Sequence, residues 1–145
     1  MSTRSLPVLL AEDNEGYSYL TRRLLERINP AFDVQVARDG QEALSAVREH
    51  PPRLMLLDLV MPSLSGLELL RHLKSDPSTS AMPIIVLTGH DDDHNVRGAY
   101  QQYANAVLIK PDTPERLQAA LSALNAFWFH HVLFAPDRPP SSELS

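Results

Sequence analysis

The chain has 145 residues, 43% of them hydrophobic, which is the size of one domain with a sizeable buried core. Its 13 basic and 18 acidic residues leave a formal charge of −5, which argues against a nucleic-acid or anionic-membrane surface. The absence of cysteine excludes disulfides, thiol catalysis and zinc–thiolate sites, and the lack of any signal-like or membrane-length apolar stretch makes a cytoplasmic protein the expectation.

The first apolar run, Leu6–Ala11, reads as a strand and stops on Glu12 and Asp13. Asp13 and Asn14 are good cap residues, and Tyr17, Leu20, Leu24 and Ile28 then keep helical spacing. A second strand, Asp33–Ala37, leads through "RDGQEAL" into a helix marked by Ala43, Leu44 and Val47 that closes before Pro51-Pro52. The third strand, Leu54–Asp58, precedes a helix carrying Leu67, Leu70 and Leu73, which "SDPSTS" ends. The fourth strand, Ile84–Thr88, is followed by a weaker helical pattern over residues 92–104. Ala106–Ile109 is the fifth strand, and Leu117, Leu121, Leu124 and Trp128 mark the fifth helix, with Pro114 suited to its first turn.

Strands that are apolar without alternating are buried on both faces, as in a parallel sheet covered by helices. Five strand–helix alternations predict a doubly wound α/β sandwich. This core is expected over residues 1–130, and residues 131–145, with their Pro/Ser-rich "APDRPPSSELS", are expected to form an arm and a disordered tail.

In such a sheet, sites form outside the carboxyl ends of the strands. The residues met there are Glu12 and Asp13, then Asp58, then Thr88 and Gly89, then Lys110 and Pro111. If the first, third, fourth and fifth strands have neighbouring ends, three carboxylates, a hydroxyl and an ammonium share one rim. Clustered carboxylates repel and need a cation, and an oxygen-rich set of this kind suits Mg²⁺. Asp58 beside the cation would be a competent nucleophile toward a phosphoryl group, with Thr88 and Lys110 holding its oxygens. Each residue has a plainer reading: Asp13 as a helix cap, Asp58 as a turn former, Thr88 as a strand residue, Lys110 as a solvated strand end. Those readings are independent of one another, whereas a single site explains all four positions.

These residues carry a family likeness. The chain resembles the receiver domain of bacterial two-component response regulators through "VLLAEDNEG", "LMLLDLVMPSLSGLELL", "PIIVLTGHDD" and "AVLIKPD", over about residues 6–128. The resemblance implies a flavodoxin-like, doubly wound, five-stranded parallel sheet in a three-layer sandwich, with a C-terminal extension. It implies that Asp58 is the phosphoacceptor, and that Asp13, Asp58 and the Val60 carbonyl bind Mg²⁺ while Glu12 acts largely through water. Thr88 and Lys110 would bind the phosphoryl group, and Gly89 would leave room beside it. Val60 and His90 occupy the positions that tune dephosphorylation, and Val60 has no polar group to orient an attacking water, so a long-lived phosphoryl state is expected. The sequence departs from the family at Val107, where Tyr or Phe is usual, which leaves Tyr100 and Tyr103 nearby as helix-packing residues.

A narrower likeness, carried by "KSDP" before the fourth strand and by the "FW" ending, is to the stand-alone response regulators paired with bacterial phytochrome kinases. It implies a sensor histidine kinase, on this narrower likeness one of phytochrome type, as the phosphodonor and protein–protein contacts as the output. Phe127, Phe129, Val132 and Phe134 exceed what one helix face buries, so a homodimer is expected through the face of helix four, strand five and helix five. His130 and His131 point to different helix faces and read as surface or packing residues.

Two rival functions fit the sequence less well. A metal-dependent phosphohydrolase would need a general acid two residues after the nucleophile, where Val60 stands, so no enzymatic turnover is expected. Nucleotide binding lacks a Gly-rich loop after the first strand. The alternative to a phosphorylated receiver is a pseudo-receiver that keeps the fold purely for interaction, and retention of Glu12, Asp13, Asp58, Thr88 and Lys110 disfavours it.

Overall fold

In the computed structural model, residues 5–59, 61, 65–89, 93–102 and 104–128 are described, the side chains of residues 93–95 excepted. Among them, strands β1 (Leu6–Ala11), β2 (Phe32–Ala37), β3 (Leu54–Asp58), β4 (Ile84–Thr88) and β5 (Ala106–Ile109) form one parallel sheet in the order β2-β1-β3-β4-β5. They alternate with helices α1 (Glu15–Ile28), α2 (Gly40–Glu49), α3 (Gly66–Ser75), α4 (Asp93–Gln101) and α5 (Pro114–Ala126). The expected strands recur, with β2 starting one residue earlier, at Phe32. That residue is buried against the core, so the strand begins where packing begins.

The pleat sorts the apolar side chains into two layers. Leu9, Met55, Leu57, Ile84 and Val86 pack with Val47, Leu69, Leu70 and Leu73 from α2 and α3. Their alternates Val8, Leu10, Leu54, Leu56, Ile85 and Leu87 face the other way, onto Leu24 and Leu25 of α1 and Leu117 and Leu121 of α5. This is the expected three-layer sandwich. Every residue of β3 and β4 is buried, and a fully buried Leu or Ile contributes about 1.5–3 kcal/mol.

Local chemistry starts the helices where the strands leave off. Asn14 Oδ1 accepts from the Tyr17 N–H at 2.8 Å, Asp39 Oδ1 from Glu42 at 2.8 Å, and Ser65 Oγ from Glu68 at 3.2 Å. Thr113 caps α5, with Pro114 in the first turn. The cap of α1 is therefore Asn14, and Asp13 is left exposed beside it.

Two features fix the connections around β3 and β4. The Gly66 N–H donates to the Leu59 carbonyl at 3.1 Å, and a Cβ at Gly66 would lie 2.8 Å from the Asp58 carbonyl oxygen, so only glycine lets α3 start this close to the end of β3. At the opposite end of the sheet, the Lys74 ammonium donates to the Met82 carbonyl and to Asn105 Oδ1, each at 2.8 Å, and Asn105 Oδ1 also accepts from the Ile84 N–H. Burial lowers the Lys74 pKa.

Beyond α5, Trp128 packs on the α1–α5 layer and meets the Phe127 ring edge-on, whereas Phe127 is 53% exposed. Phe129, Val132, Phe134, His130 and His131 lie outside the described residues. Among the described residues, no helix is long and apolar enough to cross a membrane.

Candidate functional site

The strand order reverses between β1 and β3, since β1 leads outward to β2 and β3 leads outward to β4. A crevice opens at the carboxyl side of such a reversal. Ala11 pairs with Leu57, so Glu12 and Asp58 emerge side by side, one residue further on. Asp58 pairs with Leu87, and Thr88 with Ile109, so Thr88 and Lys110 complete the rim. The four strand ends are neighbours, as the site requires.

The carboxylates converge. Ligand atoms of Glu12, Asp13 and Asp58 lie within 4.8 Å of one another. Glu12 and Asp58 are 1% and 6% exposed, while Asp13 faces solvent. Burial raises the Glu12 pKa, and the Asp58 charge adds to that rise against the opposing hydrogen bonds from Lys110 and the Asn14 N–H. A buried carboxylate destabilised by a like-charged neighbour is a donor set that a divalent cation relieves, and one exposed ligand gives the ion a route in. These residues fit such an ion.

Lys110 supplies the positive charge of the rim. Its ammonium nitrogen lies 2.6 Å from Glu12 Oε1 and 3.4 Å from Asp58 Oδ2. Burial works to lower the Lys110 pKa, but the Glu12 hydrogen bond and the two carboxylate charges outweigh it and hold the pKa above the ordinary lysine value. The Lys110 N–H donates to the Thr88 carbonyl at 2.7 Å, so the ends of β4 and β5 are tied together. Thr88 itself is 4% exposed. A Cβ built on Gly89 would meet nothing within 4 Å, so the space beside the rim is open there.

Two expected site residues, Val60 and His90, lie outside the described residues, and so does Tyr103. Tyr100 requires a correction: it is not packed into the helix layer but is 51% exposed, and its hydroxyl accepts from the Val107 N–H at 3.3 Å. Among the described residues, the bond falls on the side of β5 that has no neighbouring strand.

Sequence reasoning missed two residues here. Asn14 donates its N–H to Glu12 Oε2 at 3.0 Å, and Tyr17 lays its ring 4.2 Å from the Lys110 ammonium. Tyr17 was legible only as a member of the apolar stripe of α1. The available signal was a tyrosine in the first turn after an acidic pair.

The fold and the rim together define the class. The response regulator receiver domain model matches residues 8–122, and the chain belongs to that family. It is 35% identical over 127 residues to the probable methanogenesis regulatory protein FilR2 of Methanothrix harundinacea, covering 83% of this chain and 82% of that one. It is 28% identical over 142 residues to response regulator Rcp1 of Synechocystis, covering 91% and 97% of the two chains. The Mn²⁺-bound structure of Rcp1 superposes with a TM-score of 0.83 at 26% identity, over 90% of this chain and 99% of that one. The phosphorylated cyanobacterial phytochrome response regulator RcpA gives a TM-score of 0.85 at 26% identity, over 91% and 99%. Other curated relatives, the DNA-binding response regulators MtrA, are longer, and the matched region covers about half of their length.

Proposed function

We propose that the chain accepts a phosphoryl group on Asp58, in a Mg²⁺-dependent reaction with a sensor histidine kinase, and signals through altered protein–protein contacts. The observation that carries this reading is the convergence of Glu12, Asp13, Asp58, Thr88 and Lys110 at one rim.

Asp58 is held at the end of a buried strand, which fixes the direction of its carboxylate toward the rim. One Asp58 oxygen attacks phosphorus as the bond to the donor's histidine nitrogen breaks; the electron pair leaves with that nitrogen. Asp13, Asp58 and the Val60 carbonyl would hold the Mg²⁺, with Glu12 acting largely through water, and the ion would supply positive charge against the repulsion between the carboxylates and the incoming group. Lys110 moves its ammonium from the carboxylates onto a phosphoryl oxygen, and the Thr88 hydroxyl donates to another.

The phytochrome-type kinase is proposed on the likeness to Rcp1 and RcpA. A homodimer is proposed through the α4–β5–α5 face, where Tyr100, Ile109 and Phe127 are exposed, with residues 131–145 as its arm. A cytoplasmic setting accords with such a donor.

The test is incubation with Mg²⁺ and acetyl phosphate followed by intact-mass measurement. We expect a single phosphoryl adduct in the wild type and none in Asp58→Asn. A wild type that takes up no phosphoryl group leaves the pseudo-receiver as the reading.

A further inference from the structure

Lys110 is the rim's flexible cation, and it must release Glu12 to meet an incoming anion. Its ammonium nitrogen lies over the Tyr17 ring, 4.2 Å from the centroid. The ring is itself fixed at both ends. Its hydroxyl donates to the Pro111 carbonyl at 3.3 Å, which ties α1 to the turn just after β5. The Tyr17 N–H donates to the Asn14 cap at 2.8 Å, and its carbonyl accepts from the Thr21 hydroxyl at 2.7 Å.

These contacts close a circuit. Glu12 Oε2 accepts from the Asn14 N–H, Asn14 Oδ1 accepts from the Tyr17 N–H, the Tyr17 ring faces Lys110, and Lys110 returns to Glu12 Oε1 at 2.6 Å. The circuit joins the end of β1, α1 and the end of β5, and the Tyr17–Pro111 bond braces it across 94 positions of sequence. Only 18% of the Lys110 side chain is exposed.

A π-face attracts an ammonium without demanding a hydrogen-bond direction. It therefore does something the carboxylates cannot: it keeps the cation in the site while leaving it free to turn from one oxygen to another. We propose that Tyr17 is the positioning residue for Lys110, its ring retaining the ammonium over Asp58 and its hydroxyl holding the ring against the Lys110-Pro111 turn. The inference rests on the reading of Asp58 as phosphoacceptor. Without the ring, the ammonium is left to the carboxylates and to water, and fewer of its conformations aim at the accepted group.

The test uses the full chain with Mg²⁺ and acetyl phosphate, the adduct being followed in time by intact mass. Tyr17→Phe keeps the ring and loses the Pro111 bond, and we expect a rate within about threefold of wild type. Tyr17→Leu removes the ring, and we expect a fall of about tenfold. On the Tyr17→Phe background, successive ring fluorines weaken the negative face at nearly constant shape, so the rate should step down with each one. A packing role alone would leave the fluorine series flat. In parallel, labelling of Lys110 by an amine-reactive reagent, without metal or phosphodonor and read by peptide mass, should rise severalfold in Tyr17→Leu.

A flat fluorine series, or Tyr17→Leu labelled like wild type, overturns the inference. Absence of an adduct in the wild type instead overturns the phosphoacceptor reading, and the labelling then still decides whether Tyr17 holds Lys110.

Discussion

Leu56 and Asp58 stand two residues apart on one strand and are both buried, at 0% and 6% exposure. Leu56 packs in a cluster of leucines, valines and isoleucines, whereas Asp58 shares its surroundings with a second buried carboxylate and an ammonium. The body of the sheet is thus arranged for stability and its rim for charge. Burial of the layers stabilises the fold, and that surplus is what allows Glu12 and Asp58 to be held together at a cost.

The largest effect that can break this comparison is on folding. Leu56→Ala should lower stability by about 2–5 kcal/mol through lost burial and a cavity. Asp58→Asn should not lower it at all, because the change removes the charge that adds to the raised pKa of Glu12. Denaturant titration of the two variants beside the wild type measures both. A marked destabilisation by Asp58→Asn would mean that the rim is structural.

Metal sharpens the comparison at a somewhat smaller scale. If the ion binds the folded rim alone, as proposed, Mg²⁺ at roughly a hundredfold excess over its Kd should stabilise the wild type by about 2.7 kcal/mol. Asp13→Asn removes the exposed carboxylate of the proposed site and should remove most of that gain, with little change in metal-free stability. Thermal melts with Mg²⁺ or with a chelator provide the check.

The smallest effect is alkaline. Lys110 has a folded-state pKa above its ordinary 10.5, so the stability it contributes is fully present below 10.5 and is lost as pH rises through the higher folded value. Tyr17 is pushed up to about 12, by burial first and then by the charges of Glu12 and Asp58, so its contribution also fades in the alkaline range. Lys74 is shifted the other way, which favours the folded state as pH rises toward 10.5. The difference between wild type and Lys110→Met isolates the Lys110 part. Wild type should lose its advantage over the variant as pH climbs past 10.5.

How much of this was readable in the chain follows the same division. Periodicity finds the core because burial acts on every residue of a strand, and β1, β3, β4 and β5 begin and end where the apolar runs do. The acidic pair, Asp58, Thr88 and Lys110 were readable because strand ends define a rim once the fold is parallel. What stayed hidden depends on contacts between distant segments. Nothing local tells that Tyr17 meets Lys110 and Pro111, or that the Tyr100 hydroxyl reaches the Val107 backbone instead of packing inward. Of the two candidate caps, Asn14 takes the role, which frees Asp13 to join the carboxylates.

The most direct test of the account is to locate the phosphoryl group. Borohydride reduces an acyl phosphate on aspartate to homoserine, so treatment after phosphorylation marks the residue that carried it. Peptide mapping should place homoserine at position 58 and nowhere else, and Lys110→Met should reduce its yield. A mark at Asp13, or phosphoryl retained on a histidine, would contradict the assignment of the rim.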